Sequence, residues 1–216
     1  MKAKRAPGRP RADAARDLRA ELLQVSGALL EEVGPQALSL REVARRAGCT
    51  HQAPYHYFED RESLLAALVT EGFQELTRRL RAVNDRAATV TVHELLVTSG
   101  EAYVAFALSQ PGVFRVMFSP DMCDRQRFSA LREAGAAAYA QLQRLNTVVL
   151  GTSATPVSAT VLWAHVHGLA CLLLEGPLGP QLQTRRQQQA HLREVAQLFA
   201  DRMLGPLGDS RAGASR

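Results

Sequence analysis

Residues 50–56, Thr50-His51-Gln52-Ala53-Pro54-Tyr55-His56, gather hydroxyl, imidazole, carboxamide, methyl and phenol groups in one short polar stretch. Those groups suit recognition by hydrogen bonding more than bond making. The major groove of duplex DNA displays fixed patterns of donors, acceptors and thymine methyls, which side chains of this kind can read. Gln52 matches the paired donor and acceptor of adenine. His51 and His56 can reach base edges, Ala53 can meet a thymine methyl, and Thr50 and Tyr55 can bond phosphate oxygens. Ser39, Arg41 and Arg61 flank the stretch; Arg41 suits a guanine or a phosphate and Arg61 a phosphate, with Arg45 and Arg46 as further phosphate candidates.

Other chemistries lack their residues. No Gly-rich phosphate loop, paired-carboxylate arrangement or nucleophile–base motif is present, so no catalytic residue is nominated and no enzyme is expected. His165 and His167 are two residues apart, a spacing that one helix cannot aim at a single ion, and no Cys/His cluster has ligand spacing. No metal and no cofactor are expected. Cys49, Cys123 and Cys171 are odd in number and widely spaced, which argues against a disulfide framework and for a reducing compartment.

The surrounding residues read as helices that position the polar stretch. Apolar residues recur at Leu22, Val25, Leu29 and Val33, one face of a first helix, and Gly34-Pro35 ends it. Ser39, with Glu42 three residues on, forms a capping box for a second helix that turns Val43, Ala44 and Ala47 inward. Gly48 supplies the left-handed turn, and Thr50 caps a third helix. Two short helices joined by a tight turn are the arrangement that places a second helix in the major groove. Asp60 caps a fourth helix of about 24 residues with a long apolar stripe, enough to link one domain to another. Further helices are expected at 92–110, 113–118, 125–150, 156–175 and 183–204. The expected fold is all-α, with about nine helices. A basic arm (1–14) precedes a three-helix helix-turn-helix domain (15–61), a helical effector-binding and dimerisation domain (62–205) and a frayed tail (206–216).

Charge is concentrated at the start. Lys2, Lys4, Arg5, Arg9, Arg11, Arg16 and Arg19 face only Asp13 and Asp17 in the first 19 residues, an excess equal to the +5 of the whole chain. A basic arm favours approach to phosphates. The N-terminus has no apolar core after its basic residues, so no signal peptide is expected. No unbroken run of 18 apolar residues suggests a membrane span. The expected location is the cytoplasm.

The string LSLREVARRAG (38–48), then Tyr55, Phe58 and an acid–base pair leading to Leu64-Leu65, resembles the TetR family of bacterial transcriptional regulators over residues 15–65. The usual ending Y-x-H-F-x-x-K stands here as Tyr55-His56-Tyr57-Phe58-Glu59-Asp60-Arg61; Tyr57 replaces the common His, Arg61 the common Lys, and Pro54 stands where Leu is usual. YVAFALSQPGVFRVMF (103–118) with Trp163, His165, His167 and Gly168 is similar to the subgroup whose C-terminal domain is named for Trp, His and Gly. PGRPR (7–11) resembles an AT-hook core, which implies that Arg5, Arg9 and Arg11 enter a minor groove.

The resemblance implies a homodimer on double-stranded DNA, released by a small-molecule effector. Aromatic and apolar residues at Tyr103, Phe106, Met117, Phe118, Trp163 and His167 are the candidate effector contacts. Ala159, Leu162, Val166, Ala170 and Leu173, with Leu192, Val195, Phe199 and Met203, are the candidate dimer stripes. The expected function is a ligand-responsive repressor acting on a palindromic operator. An activator, or an architectural DNA-binding protein without effector, is the alternative.

Overall fold

The computed structural model describes residues 17–205. The arm residues Arg5, Arg9 and Arg11 and the tail at 206–216 lie outside them. All regular structure among the described residues is helical. A small N-terminal head comprises α1 (Leu18–Ala37), α2 (Leu40–Arg46) and a single 3-10 turn (Ala53–His56). It is followed by α3 (Arg61–Asn84), α4 (Val92–Ser109), α5 (Pro111–Met117), α6 (Ser129–Leu150), α7 (Pro156–Leu174), the short α8 (Leu178–Gln181) and α9 (Arg185–Leu204).

Helix ends follow local chemistry. Gly34, with φ 74° and ψ 172°, breaks α1 near its end, a backbone state open to glycine. Leu22, Leu29 and Leu30 of α1 are buried, but Val33, placed on the inward face by periodicity, is exposed at the last position before the break. Asp60 and Ser63 cap α3 reciprocally: the Asp60 carboxylate accepts from the Ser63 N–H at 2.7 Å, and the Ser63 hydroxyl accepts from the Asp60 N–H at 3.1 Å. Thr155 with Ser158 does the same for α7, where Pro156 fills the first turn. α2 has only half of its expected box. The Ser39 hydroxyl accepts from the Glu42 N–H at 3.2 Å, but the Glu42 carboxylate is taken by Arg45 and Arg46.

The expected third helix is reduced to the 3-10 turn, and Thr50 does not cap it. The 3-10 turn closes through Tyr55 N–H to Gln52 C=O and Tyr57 N–H to Pro54 C=O, and Pro54 brings no N–H of its own to extend the ladder. α6 begins at Ser129 rather than 125; residues 123–128 form a strap instead. The 176–180 break holds the start of α8.

One continuous core joins the head to the body. Leu22, Leu30, Val43 and Phe58 of the head share it with Leu64, Leu65 and Phe73 of α3 and with Phe106, Phe114 and Met117 of α4 and α5. A second cluster, including Leu95, Leu96, Leu145, Leu162 and Ala196, fills the far end between α4, α6, α7 and α9. α3 packs along α6, and Asn84 ties their ends by donating to the Gln141 carbonyl at 3.0 Å.

α7 departs from expectation. Without a charged residue, it is long and apolar enough to cross a membrane by length and composition, with a mean hydropathy of 1.7, although polar residues interrupt any unbroken apolar run. One face is core: Ala159, Leu162, Leu169, Ala170 and Leu173 are buried. The opposite face presents Val157, Val161 and Leu172 to the outside.

Candidate nucleic-acid interface and effector cavity

The turn after α2 projects the polar stretch. Gly48 takes φ +63°, and the Cys49 N–H returns to the Ala44 carbonyl at 3.1 Å, which reverses the chain tightly. Pro54 and Phe58 are buried and anchor the segment from below. Thr50, His51, Gln52 and His56 are exposed, Ala53 is half-buried, and the rings of Tyr55 and Tyr57 stand 53% and 45% exposed. The structure therefore brings the nominated readers together on one outward edge. Tyr57 joins them; as an aromatic flanked by polar groups and the buried Phe58, it carried the same signal as Tyr55.

The cations around this edge divide. Arg41 is exposed and has no ion pair among the described residues, open to a phosphate. Arg45 grips both oxygens of Glu42 at 2.8 and 2.6 Å, and Arg46 bonds Glu32 at 2.6 Å as well as Glu42. The hydrogen bonds from Arg45, then those from Arg46, hold the Glu42 carboxyl down at about 2. Arg61 is turned inward. Its Nε donates to the Leu38 carbonyl at 3.0 Å and a terminal nitrogen donates to the Pro35 carbonyl, so its geometry fixes the α1–α2 connection. Sequence spacing alone did not reveal that α1 would end with two carbonyls aimed at this guanidinium.

The body holds a cavity of about 1010 Å³, partly open to the outside, between α3, α4, α6, α7 and α9. Its walls are mainly apolar, with Phe73, Leu76, Leu80, Leu131, Leu145 and Leu169 among them. Of the nominated contacts, Tyr103, Phe118 and Trp163 line it. Phe106 and Met117 do not: both are fully buried in the main core, on the side where α3, α4 and α5 meet. His167 also lies behind the wall. Trp163 Nε1 donates to the Tyr103 hydroxyl at 3.3 Å, leaving the Tyr103 proton for His167 Nδ1 at 2.9 Å. Burial pushes the His167 imidazole below its ordinary value and the Tyr103 phenol above its own, so both are neutral partners. Phe118 and Phe114 close around His167, with ring centroids 4.6 and 5.3 Å away.

Spacing missed other wall residues. His165 stacks flat on Phe199, centroids 3.7 Å apart, and its Nε2 is buried without a protein partner. Arg125 and Arg132 lie at the wall from the strap and α6, where the sequence marked no site, and Tyr139, one of the aromatic residues of the body, lines it too.

The same strap holds the head. Arg127 bonds Glu59, Asp60 and Glu62 at 3.0, 2.9 and 2.7 Å, and the Asp124 N–H donates to Glu62 at 2.8 Å. A second tie runs from α1: the Glu31 carboxylate accepts the Gly112 N–H at 2.7 Å, at the start of α5. The strap residues Cys123 to Gln126 belong to the cavity wall, so one segment touches both the cavity and the entry to α3.

Comparisons with known proteins agree with this architecture. Residues 22–68 match the model described as bacterial regulatory proteins, tetR family, and residues 96–198 match a tetracyclin repressor-like C-terminal domain. The chain is 29% identical to a solved protein of unknown function from Rhodococcus sp. RHA1, with a TM-score of 0.71 over 91% of this chain and 97% of that one. It is 24% identical to a TetR/AcrR-family regulator from Thermobifida fusca, with a TM-score of 0.60 over 86% and 98%. It is also 23% identical over 108 residues to the HTH-type transcriptional regulator Rv1816 of Mycobacterium tuberculosis, covering 50% of this chain and 46% of that protein. The match thus spans about half the length of the curated relatives. With a helix-turn-helix head, a helical C-terminal domain and both family models in register with them, the chain belongs to the TetR family of transcriptional regulators.

Proposed function

We propose that this chain is a homodimeric, ligand-responsive repressor that reads a palindromic operator in the cytoplasm. The observation that carries the reading is the exposed edge Thr50–Tyr57, held up by the buried Pro54 and Phe58. Gln52, His51 and His56 read base edges; Tyr55, Thr50 and Arg41 contact phosphates. Ser39 positions α2, and Arg61 positions the head from within. Arg5, Arg9 and Arg11 of the arm would add minor-groove and phosphate contacts. In this division, 15–61 reads DNA and 62–205 senses ligand and pairs.

Dimer formation is supported by α7, of which only 28% of the most apolar window is buried in this subunit. The sequence-derived stripe Ala159, Leu162, Ala170 and Leu173 packs inward. The pairing face is the opposite one: Val157, Val161, Ala164, Gly168 and Leu172. A Cβ at Gly168 meets nothing within 4 Å in the subunit, which leaves room for close approach by a partner helix. α9 adds Leu198, 59% exposed. Trp163, His167 and Gly168 support membership of the Trp-His-Gly group, since the first two meet on the Tyr103 hydroxyl.

Ligand entering the cavity displaces the strap, which shifts α3 and separates the two heads. A coupling of about 1–3 kcal/mol changes operator affinity roughly 5- to 150-fold. Selection from a random duplex pool tests the reading. Inverted half-sites with centres about 34–36 Å apart, or a multiple of it, are expected. An unenriched pool or a lone half-site refutes it.

A further inference from the structure

We propose that the cavity takes an amphipathic carboxylate: a long apolar body along α6, with its anionic head between Arg125 and Arg132. The proposal deepens the ligand-responsive reading above and rests on it.

Three observations point to this class. The wall follows α6 from Arg132 to Leu145, roughly 20 Å at 1.5 Å per residue, so the space is elongated rather than round. Its charges sit at one end. Arg125, Arg132 and Asp124 come from the strap and the first turn of α6, while the remainder offers only neutral polar groups such as Ser99 and Gln141. Neither arginine meets a carboxylate among the described residues. Arg125 donates to the Met117 carbonyl and lies over Phe73, its guanidinium carbon 5.8 Å from the ring centroid; Arg132 donates to the Gln126 carbonyl at 2.9 Å. Arg79, Arg115, Arg127, Arg144 and Arg193 have carboxylate partners; Arg81, Arg86, Arg185, Arg186 and Arg202 have none among the described residues, but they lie outside the cavity wall.

The two guanidiniums, both exposed, thus retain donors and charge at one end of an apolar space. A carboxylate accepts such forks through both oxygens. Asp124, its carboxylate accepting the Gln126 N–H at 2.8 Å, offsets one of the two positive charges. The remaining single positive charge matches a carboxylate better than a phosphate dianion. Seating the head at Arg125 also pulls on the strap two residues from Arg127, the residue that grips the entry to α3.

The chain has one tryptophan, Trp163, and it lies in the wall, so its fluorescence reports occupancy. Full-length protein is titrated, below micelle formation, with palmitate, hexadecanol, hexadecylamine and hexadecyl phosphate. Palmitate is expected to bind at least about tenfold tighter than the alcohol, and the amine weakest. Arg132→Met and Arg125→Met each weaken palmitate severalfold while leaving the alcohol unchanged. The wild-type probe ranking stands even if Arg125→Met fails to fold. Equal binding of palmitate and alcohol, tighter binding of the phosphate, or unchanged palmitate affinity in Arg132→Met overturns the proposal. Operator release by the alcohol would then leave the ligand-responsive reading intact. If no probe binds but a thermal-shift library yields another ligand, this inference alone falls; if the library yields none, both fall.

Discussion

The head and the body solve opposite packing problems. In the head, a small closed core of Leu22, Val43, Phe58 and their neighbours leaves Thr50–Tyr57 outside, where polar groups can meet a partner without rearrangement. In the body, α3, α4, α6, α7 and α9 stop short of closing, and aromatic walls face a space. Recognition by the head depends on which side chains are exposed, and recognition by the body on which helices fail to touch. That difference explains why the same residue type, an aromatic, stands exposed at Tyr55, forms a wall at Phe118 and is plain core at Phe106.

Mutations that separate those roles sharpen the contrast. Phe106→Ala removes a fully buried ring and is expected to lower the unfolding free energy by about 3–5 kcal/mol in denaturant titrations. Phe118→Ala opens a wall already facing space, so it should destabilise less and change ligand affinity more. Equal losses in both would erase the distinction. Gly168→Leu comes next. Its side chain meets open space in the subunit, so the monomer stays folded while sedimentation shows the dimer dissociating. A dimer that persists would remove α7 from the interface.

Arg127→Ala cuts the tie from strap to α3. Its bonds to Glu59, Asp60 and Glu62 are at the surface, so the unfolding midpoint should move little while ligand-driven release of operator weakens. Undiminished release would place the coupling elsewhere.

The smallest effect is a pH dependence confined to the body. Burial holds His165 and His167 below the ordinary imidazole value of 6.5, favouring their neutral forms in the folded state. The unfolded chain therefore binds protons first as pH falls. The contribution is fully present above about 6.5 and declines below it until the folded imidazoles protonate. Melting temperatures should drop over that window, and His165→Phe, which preserves stacking on Phe199, should flatten the drop. A separate loss begins below about 4.5, as Glu42 and Glu75, each held at about 2 by paired arginines, become protonated in the unfolded chain.

Legibility in the sequence tracked the same contrast. The head's signals are local: Ser39 before Glu42, Gly48 at the turn and Asp60 before Ser63 act within a few residues, so caps and the turn could be read in order. The fates of Glu42 and Arg61 were not local. Arg45 and Arg46 outcompeted the backbone for Glu42, and the broken end of α1 drew Arg61 inward. In the body, the aromatic content announced a binding space but not its wall. Phe106 and Met117 are taken up by the core where α3, α4 and α5 meet, whereas Arg132 reaches the cavity only because α6 lies along α3. The α7 stripe packs inside the subunit because that helix is apolar on both faces, and periodicity cannot say which face the subunit's own core takes up.

The central claim is that the exposed edge, and not the body, reads DNA. Fluorescence anisotropy with the selected operator duplex tests it most directly, comparing the native chain with Tyr55→Ala. The account predicts a severalfold or greater loss of affinity with an unchanged melting temperature and dimer. Native affinity in Tyr55→Ala and in a Gln52→Ala, Tyr55→Ala double variant would contradict it.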